Sequence, residues 1–220
     1  MPRIARIVAE GYPHHVIQRG NNKQVVFFDN EDRRFYLGLI KKYSRECESG
    51  VHAYCLMDNH IHMLITPRRN DSLAKTMQKL SLRFTQHINK KYKRTGRLWE
   101  CRFYSSLVDR EEYLWAVCRY IERNPIRAKI VSKPSQYEWS SASKVQQNDI
   151  IESIWDVNQK QEYSNYLNAP ENESQVQMIR KNTHSGRPVG SVEFINHIAK
   201  VLKVNLSTRP KGRPRKAERD

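Results

Sequence analysis

The stretch Asp58-Asn59-His60-Ile61-His62-Met63-Leu64-Ile65 leaves this chain few options. Ahead of it, Val51 to Met57 is a short apolar run, and Asp58-Asn59 reads as a two-residue turn. His60 to Thr66 therefore returns as the antiparallel neighbour of that run. In an extended segment His60 and His62 project from one face, while Ile61 and Met63 project from the other. One face of the strand goes to a core; the other carries two imidazoles. Side by side on a rigid strand, two imidazoles are half of a metal site, because imidazole suits several divalent ions. Alone, the pair reads better as surface or hydrogen-bonded histidines. A partner elsewhere in the chain has to decide.

The flanking segments set the fold. Residues 13–19, Pro-His-His-Val-Ile-Gln-Arg, read as a first strand, closed by a Gly20-Asn21-Asn22 turn. His14, His15 and Gln18 on it read best as an edge or solvated face. A helix over residues 31–48 follows, with Phe35, Leu39, Ile40 and Tyr43 at helical spacing and Ser49-Gly50 closing it. After the hairpin, Ser72 caps a helix to about Tyr92, whose apolar stripe is Leu73, Met77, Leu80, Phe84 and Ile88. Residues 98–108 lead into a further strand, and Asp109 is a good N-cap for the next helix. That helix ends at Asn124, because Pro125 disfavours helical geometry in the residue before it. Strand, helix, strand, strand, helix, strand, helix is the split βαβ order. It predicts an α+β, ferredoxin-like antiparallel sheet with helices on one face.

Charge narrows the partner. The chain of 220 residues carries a formal net charge of +16 and a pI near 9.8, which favours a polyanion. Lys75, Lys79 and Arg83 lie on the outer face of the second long helix, and Arg19, Asn21, Arg102 and Arg127 are further candidates for DNA contact. No glycine pattern for a dinucleotide or P-loop is present. No run is apolar enough to span a bilayer, and the first residues lack a signal-peptide core, so no membrane partner is expected. A cytoplasmic, nucleoid-associated protein is expected, either monomeric or a homodimer. The four cysteines are scattered without a Cys-x-x-Cys pair, so neither zinc nor a disulfide framework is suggested. Cys55 and Cys118 read as buried thiols.

On the helix after the last strand, Tyr120 and Asn124 are four residues apart and share a face. Tyr113 and Val117 lie on the same stripe, so Tyr120 reads equally as core and Asn124 as a helix C-cap. The functional reading is that two histidines and an amide oxygen partly fill a coordination sphere. A divalent ion held there polarises a phosphodiester. A phenol, a poor nucleophile at its free pKa of about 10, needs that activation. Attack by Tyr120 conserves the bond energy as a phosphotyrosine. Asp58, Glu122 and Gln18 stay open as helpers.

These residues resemble a known family. Asn59-His60-Ile61-His62 is similar to the His-hydrophobic-His (HUH) motif of single-tyrosine transposases and relaxase-like nucleases. Gly96-Arg97-Leu98-Trp99-Glu100-Cys101-Arg102-Phe103 and Tyr120-Ile121-Glu122-Arg123-Asn124-Pro125-Ile126-Arg127-Ala128 resemble signatures of one branch, the REP-associated tyrosine transposases. The resemblance covers about residues 10–143, ending in Tyr137-Glu138-Trp139-Ser140-Ser141. It implies a ferredoxin-like nuclease domain acting on single-stranded DNA at hairpins of repetitive palindromes. It further implies His60 and His62 as ligands of Mg2+ or Mn2+, Asn124 as the third ligand where many relatives use Gln, and Tyr120 as the nucleophile. The products implied are a 5′-phosphotyrosine and a free 3′-hydroxyl.

Three segments follow from this reading: a nuclease domain over 1–144, a polar and partly helical connector over 145–184, and a C-terminal helix with a basic tail over 185–220. Residues 169–184, rich in Asn, Glu, Ser and Gln, read as a mobile linker. Ser191 to Leu202 forms a short amphipathic helix, which either docks on the main domain or mimics half of a helix-turn-helix. Arg209 to Lys216 resembles an AT-hook, with Arg213 and Arg215 able to lie in a narrow minor groove; a generic basic tail is the alternative. Besides the enzyme, a DNA-binding regulator with idle chemistry fits the basic faces. A water-using ribonuclease lacks a clear general base.

Overall fold

The computed structural model describes residues 7–110, 112–143 and 149–206. Its centre is a four-stranded antiparallel sheet made of β1 (His14–Arg19), β2 (Ser49–Met57), β3 (His60–Pro67) and β4 (Tyr104–Leu107), in the order β2-β3-β1-β4. Helix α1 (Asn30–Glu46) joins β1 to β2, and α2 (Ser72–Lys91) joins β3 to β4. This is the expected ferredoxin-like topology. The hairpin register sets Met57 opposite His60 and Cys55 opposite His62.

One face of the sheet takes the two crossover helices. Gln18 of β1 reaches Ser81 of α2, and Tyr36 of α1 meets Phe84 of α2 edge to face, with ring centroids 4.8 Å apart. Ile61, Met63 and Ile65 of β3 are fully buried. Helix α1 starts where it does because Asp29 and Asp32 form a reciprocal capping box. Phe35, expected in the core, instead lies outside and stacks on His87 at 3.9 Å. Its neighbour Tyr36 takes the buried place, while Leu39, Ile40 and Tyr43 are buried as expected.

The opposite face is covered as well. Helix α3 (Leu114–Glu122) lies across it, followed by the short α4 (Asn124–Arg127), α5 (Val157–Asn168), α6 (Glu173–Ser185) and α7 (Val192–Val201). Most of the stretch expected to link, 169–184, instead falls in α6, capped by Asn172 and ended by Gly186 in the left-handed region. Polar composition hid it because only Val176, Ile179 and Thr183 of α6 are buried. Helix α7 docks by Ile198 against Ala9 and Leu107.

Both sheet edges are closed. Leu56 donates to Trp139 and Ser141 donates to Tyr54 along β2, while Val189 bonds Leu107 and Asp109 beyond β4. The last strand is shorter than expected: residues 98–103 run as a loop pinned to β1 through Asn21 to Leu98 and Glu100 to Arg19. Asp109 is not the N-cap of α3; its carboxylate accepts from Ser191, N–H at 3.2 Å and hydroxyl at 3.3 Å, and so ties α7 to the sheet. Cys55 and Cys118 are buried thiols. Among the described residues no helix is long and apolar enough to cross a membrane.

Candidate active site

Strand parity sends His60, His62 and, on β1, His15 to the face covered by α3 and α6. His62 lies opposite Ile17, and His15 opposite Leu64, so the two histidines are diagonal neighbours. Their ring planes are within 15° of parallel with centroids 5.3 Å apart, and His15 Nε2 lies 3.0 Å from His62 Nδ1, so the rings meet edge to edge. His60 and His62 stand 5.0 Å apart, edge to face. Tyr120 comes down from α3 with its ring edge-on to both His15, at 5.4 Å, and His62, at 5.7 Å. The structure thus joins the histidine pair and the tyrosine, which are 58 residues apart between His62 and Tyr120.

All three histidines are held neutral. Burial pushes His60 down to about 4, aided by the Arg19 charge. Burial also carries His15 down to about 3, with His184 and Arg127 adding to it. His62 is lowered well below the ordinary range by burial, then by His60 and His15. A neutral imidazole keeps the lone pair that a cation needs. His60 Nδ1 lies 2.6 Å from Asn59 Oδ1, which only accepts, so His60 is protonated on Nδ1. Among the described residues the Nε2 atoms of His60 and His62 make no hydrogen bond, and they are not sealed, unpartnered polar atoms. They remain open as donors to a cation.

Asn124 sits one turn beyond Tyr120. Its amide donates to the carbonyls of Tyr120, at 3.0 Å, and Ile121, at 3.1 Å. Carbonyls only accept, so these bonds fix the amide orientation and leave Oδ1 without a hydrogen bond among the described residues. The C-cap of α3 is Arg123; Asn124, the first residue of α4, ties down the α3 carbonyls through its side-chain amide. Among the described residues no three His, Cys, Asp or Glu side chains gather around one point.

Arg127 lies over the Tyr120 ring, its guanidinium carbon 4.3 Å from the centroid. It also bonds the Tyr120 carbonyl and pairs with Glu171 at 2.6 Å. The Tyr120 hydroxyl has no hydrogen bond among the described residues and is not a sealed atom.

The remaining candidates are spread out. Lys75 pairs with Asp71 at 2.6 Å and Lys79 with Glu46 at 3.0 Å, both on α2 across the sheet from His62. Arg83, on the same helix, contacts Gln86. Arg102 is exposed on the loop before β4, and Arg19 and Asn21 flank the end of β1. Arg213 and Arg215, with the AT-hook-like segment, lie outside the described residues. Of the open helpers, Asp58 pairs with Arg33. Gln18 is taken up on the α2 face by Ser81 and the Arg102 carbonyl. Glu122 accepts from Ser141 at 2.5 Å and Tyr163 at 2.6 Å, with burial raising its carboxyl.

His14, His15 and Gln18 were expected on an edge or solvated face. Instead β1 lies between β3 and β4, and all three are buried to 1% exposure or less. His15 is the site residue that sequence reasoning missed, since only the β1–β3 register brings it to His62.

Known proteins give this geometry a family. A family model described as IS200-like transposase matches residues 9–124, just over half of the chain and the whole of the sheet. A Haemophilus influenzae protein assigned as a REP-associated tyrosine transposase is 25% identical over 154 residues, covering 65% of this chain and 85% of the relative. A solved REP-associated tyrosine transposase bound to a REP hairpin superposes with a TM-score of 0.56 at 16% identity, over 71% of this chain and all of that one. A solved Deinococcus radiodurans R1 protein assigned as a transposase, 18% identical over 56% of this chain and 97% of its own, reaches a TM-score of only 0.38. Fold, motif and family match agree: this chain belongs to the IS200-like transposase family and is similar to its REP-associated tyrosine branch.

Proposed function

We propose that the protein is a metal-dependent strand transferase that cuts single-stranded DNA at palindromic hairpins through Tyr120. The observation that carries this reading is the meeting of His60, His62 and Tyr120 on one sheet face, from β3 and α3. His60 Nε2, His62 Nε2 and Asn124 Oδ1 would hold Mg2+ or Mn2+; all three are neutral donors without another partner among the described residues. When bound, the cation supplies Lewis acidity to the scissile phosphate.

Tyr120 provides the nucleophile. Its Oη bonds to phosphorus as the bond to the 3′-oxygen breaks; the phenol proton leaves to solvent, and the 3′-oxygen departs as a hydroxyl after protonation. The product is a 5′-phosphotyrosine, whose ester bond keeps the energy for rejoining. The Arg127 guanidinium over the phenol ring, fixed by Glu171, brings positive charge to the place where an anionic phosphate must approach. The net charge of +16 supports a nucleic-acid partner.

A covalent-trapping assay tests the reading. The full chain is incubated with labelled single-stranded DNA bearing palindromic hairpins and Mn2+, then run on a denaturing gel. A shifted band that chelator abolishes, that Tyr120→Phe lacks and that Tyr113→Phe keeps is expected. Cleavage without an adduct would transfer the chemistry to water. Binding with neither would leave a DNA-binding regulator.

A further inference from the structure

The site contains a hydrogen-bonded chain that the proposed chemistry does not use. His62 Nδ1 lies 3.0 Å from His15 Nε2, and His15 Nδ1 lies 2.8 Å from Thr183 Oγ1. The Thr183 hydroxyl is also 2.9 Å from the Ile179 carbonyl one turn back on α6. His15 and Thr183 are completely buried and His62 is 3% exposed, so water does not readily replace a missing partner.

The direction of the chain follows from counting protons. A carbonyl only accepts, so the Thr183–Ile179 contact is a bond only if the hydroxyl gives its proton there. Thr183 then accepts from His15 Nδ1–H, which leaves His15 Nε2 as a lone pair. That lone pair accepts from His62 Nδ1–H, and His62 Nε2 is left without a proton. All three contacts are satisfied in this direction. Reversed, Thr183 donates to His15, His15 Nε2–H donates to His62, and the Ile179 contact has no proton. The reversed chain makes two bonds instead of three and puts a proton on His62 Nε2. A buried unmade hydrogen bond is costly, so the first direction wins.

We propose that His15 and Thr183 are positioning residues that lock His62 in the Nδ1–H tautomer, with its Nε2 lone pair presented to a divalent cation. The inference rests on the reading of His62 as a metal ligand. A ligand imidazole tied through its other nitrogen is fixed in tautomer and ring orientation, and losing the tie typically weakens metal binding 10- to 100-fold. Thr183 belongs to α6, outside the residues 9–124 matched by the family model. The C-terminal segment is on this account part of the catalytic centre, acting through His15, and not an independent appendage.

Two measurements on the full chain test the proposal. The first is 15N NMR of the histidine rings in metal-free protein. His62 and His15 are both expected to carry the proton on Nδ1; a proton on His62 Nε2 overturns the proposal whatever the metal does. The second is Mn2+ affinity by calorimetry. Thr183→Val keeps the shape and removes the hydroxyl, and is expected to weaken Mn2+ binding about tenfold. Thr183→Ser keeps the hydroxyl and should stay within about twofold of wild type on the same argument. Hairpin binding in chelator should be equal for all three, showing that the fold is intact. If His62→Ala loses Mn2+ while Thr183→Val binds it like wild type, the positioning role is overturned and the ligand reading survives. If His62→Ala itself binds Mn2+ undiminished, the ligand reading falls first and takes the positioning role with it.

Discussion

Burying neutral histidines should make this protein acid-sensitive well above the range where carboxylates titrate. His14 is fully buried, with Nδ1 2.8 Å from the Tyr12 carbonyl. Burial holds it down at about 4. His15 is held at about 3, again chiefly by burial. The unfolded chain takes up a proton on each near pH 6.5, whereas the folded chain does not until far lower. Between those values the unfolded state binds more protons, so stability falls as pH falls. One histidine shifted from about 6.5 to about 4 removes about 1.8 kcal/mol between pH 7 and pH 5, and one shifted to about 3 removes about 1.9. Together they remove about 3.7 kcal/mol, a large part of the roughly 5–15 kcal/mol that holds a domain folded. His60 and His62 act in the same direction.

Opposing and confounding groups can be named. Asp29 and Asp32 are depressed by Lys91 and Tyr92, so their stabilisation is complete above the unfolded carboxylate range and is lost only below pH 4. Glu122, raised by burial, regains stability as pH falls and offsets part of the histidine loss. Urea unfolding of the metal-free chain, followed by tryptophan fluorescence at pH 7, 6 and 5, measures the slope. His14→Gln, which keeps a donor and an acceptor, should lower that slope by about one proton. A wild-type stability that changes by less than about 1 kcal/mol between pH 7 and 5, or a slope untouched by His14→Gln, would refute the argument.

Two further outcomes probe the packing around the site. Gly20 closes β1 with ordinary backbone angles, yet an added Cβ would lie 2.3 Å from the Gln24 carbonyl and 2.8 Å from Val26. Gly20→Ala should therefore cost about 1–3 kcal/mol in urea unfolding, because backbone cannot yield as a side-chain tip does; a loss under about 0.5 kcal/mol contradicts the close approach. Glu122→Gln should gain stability over wild type as pH rises above 4.5, the ordinary value of the carboxyl, since the wild-type carboxyl then ionises in the unfolded chain while burial keeps it protonated in the folded one. A difference that stays constant from pH 4.5 to pH 8 would show that Glu122 is not raised.

What the sequence alone determined is local and periodic. The alternation of β3, with its turn at Asp58-Asn59, places both His60 and His62 on one face and sends Ile61 and Met63 to the other. The four-residue spacing of Tyr120 and Asn124 makes them neighbours along one helix face, and the order of elements names the sheet. Spacing along a chain obeys backbone geometry, which needs no tertiary information. The tertiary structure decided everything that depends on register or on docking. That β1 is central, and that its slide along β3 puts His15 beside His62, is a matter of pairing; a one-residue slip would have turned His15 to the other face. That α6 is a helix at all follows from the sheet face it covers, because its own sequence offers only three buried side chains. Lys75 and Lys79 formed a basic ridge in sequence, but folding gave each a carboxylate and set them across the sheet from the histidines. Thr183 and His15, 168 residues apart, acquire a shared task only where two surfaces meet.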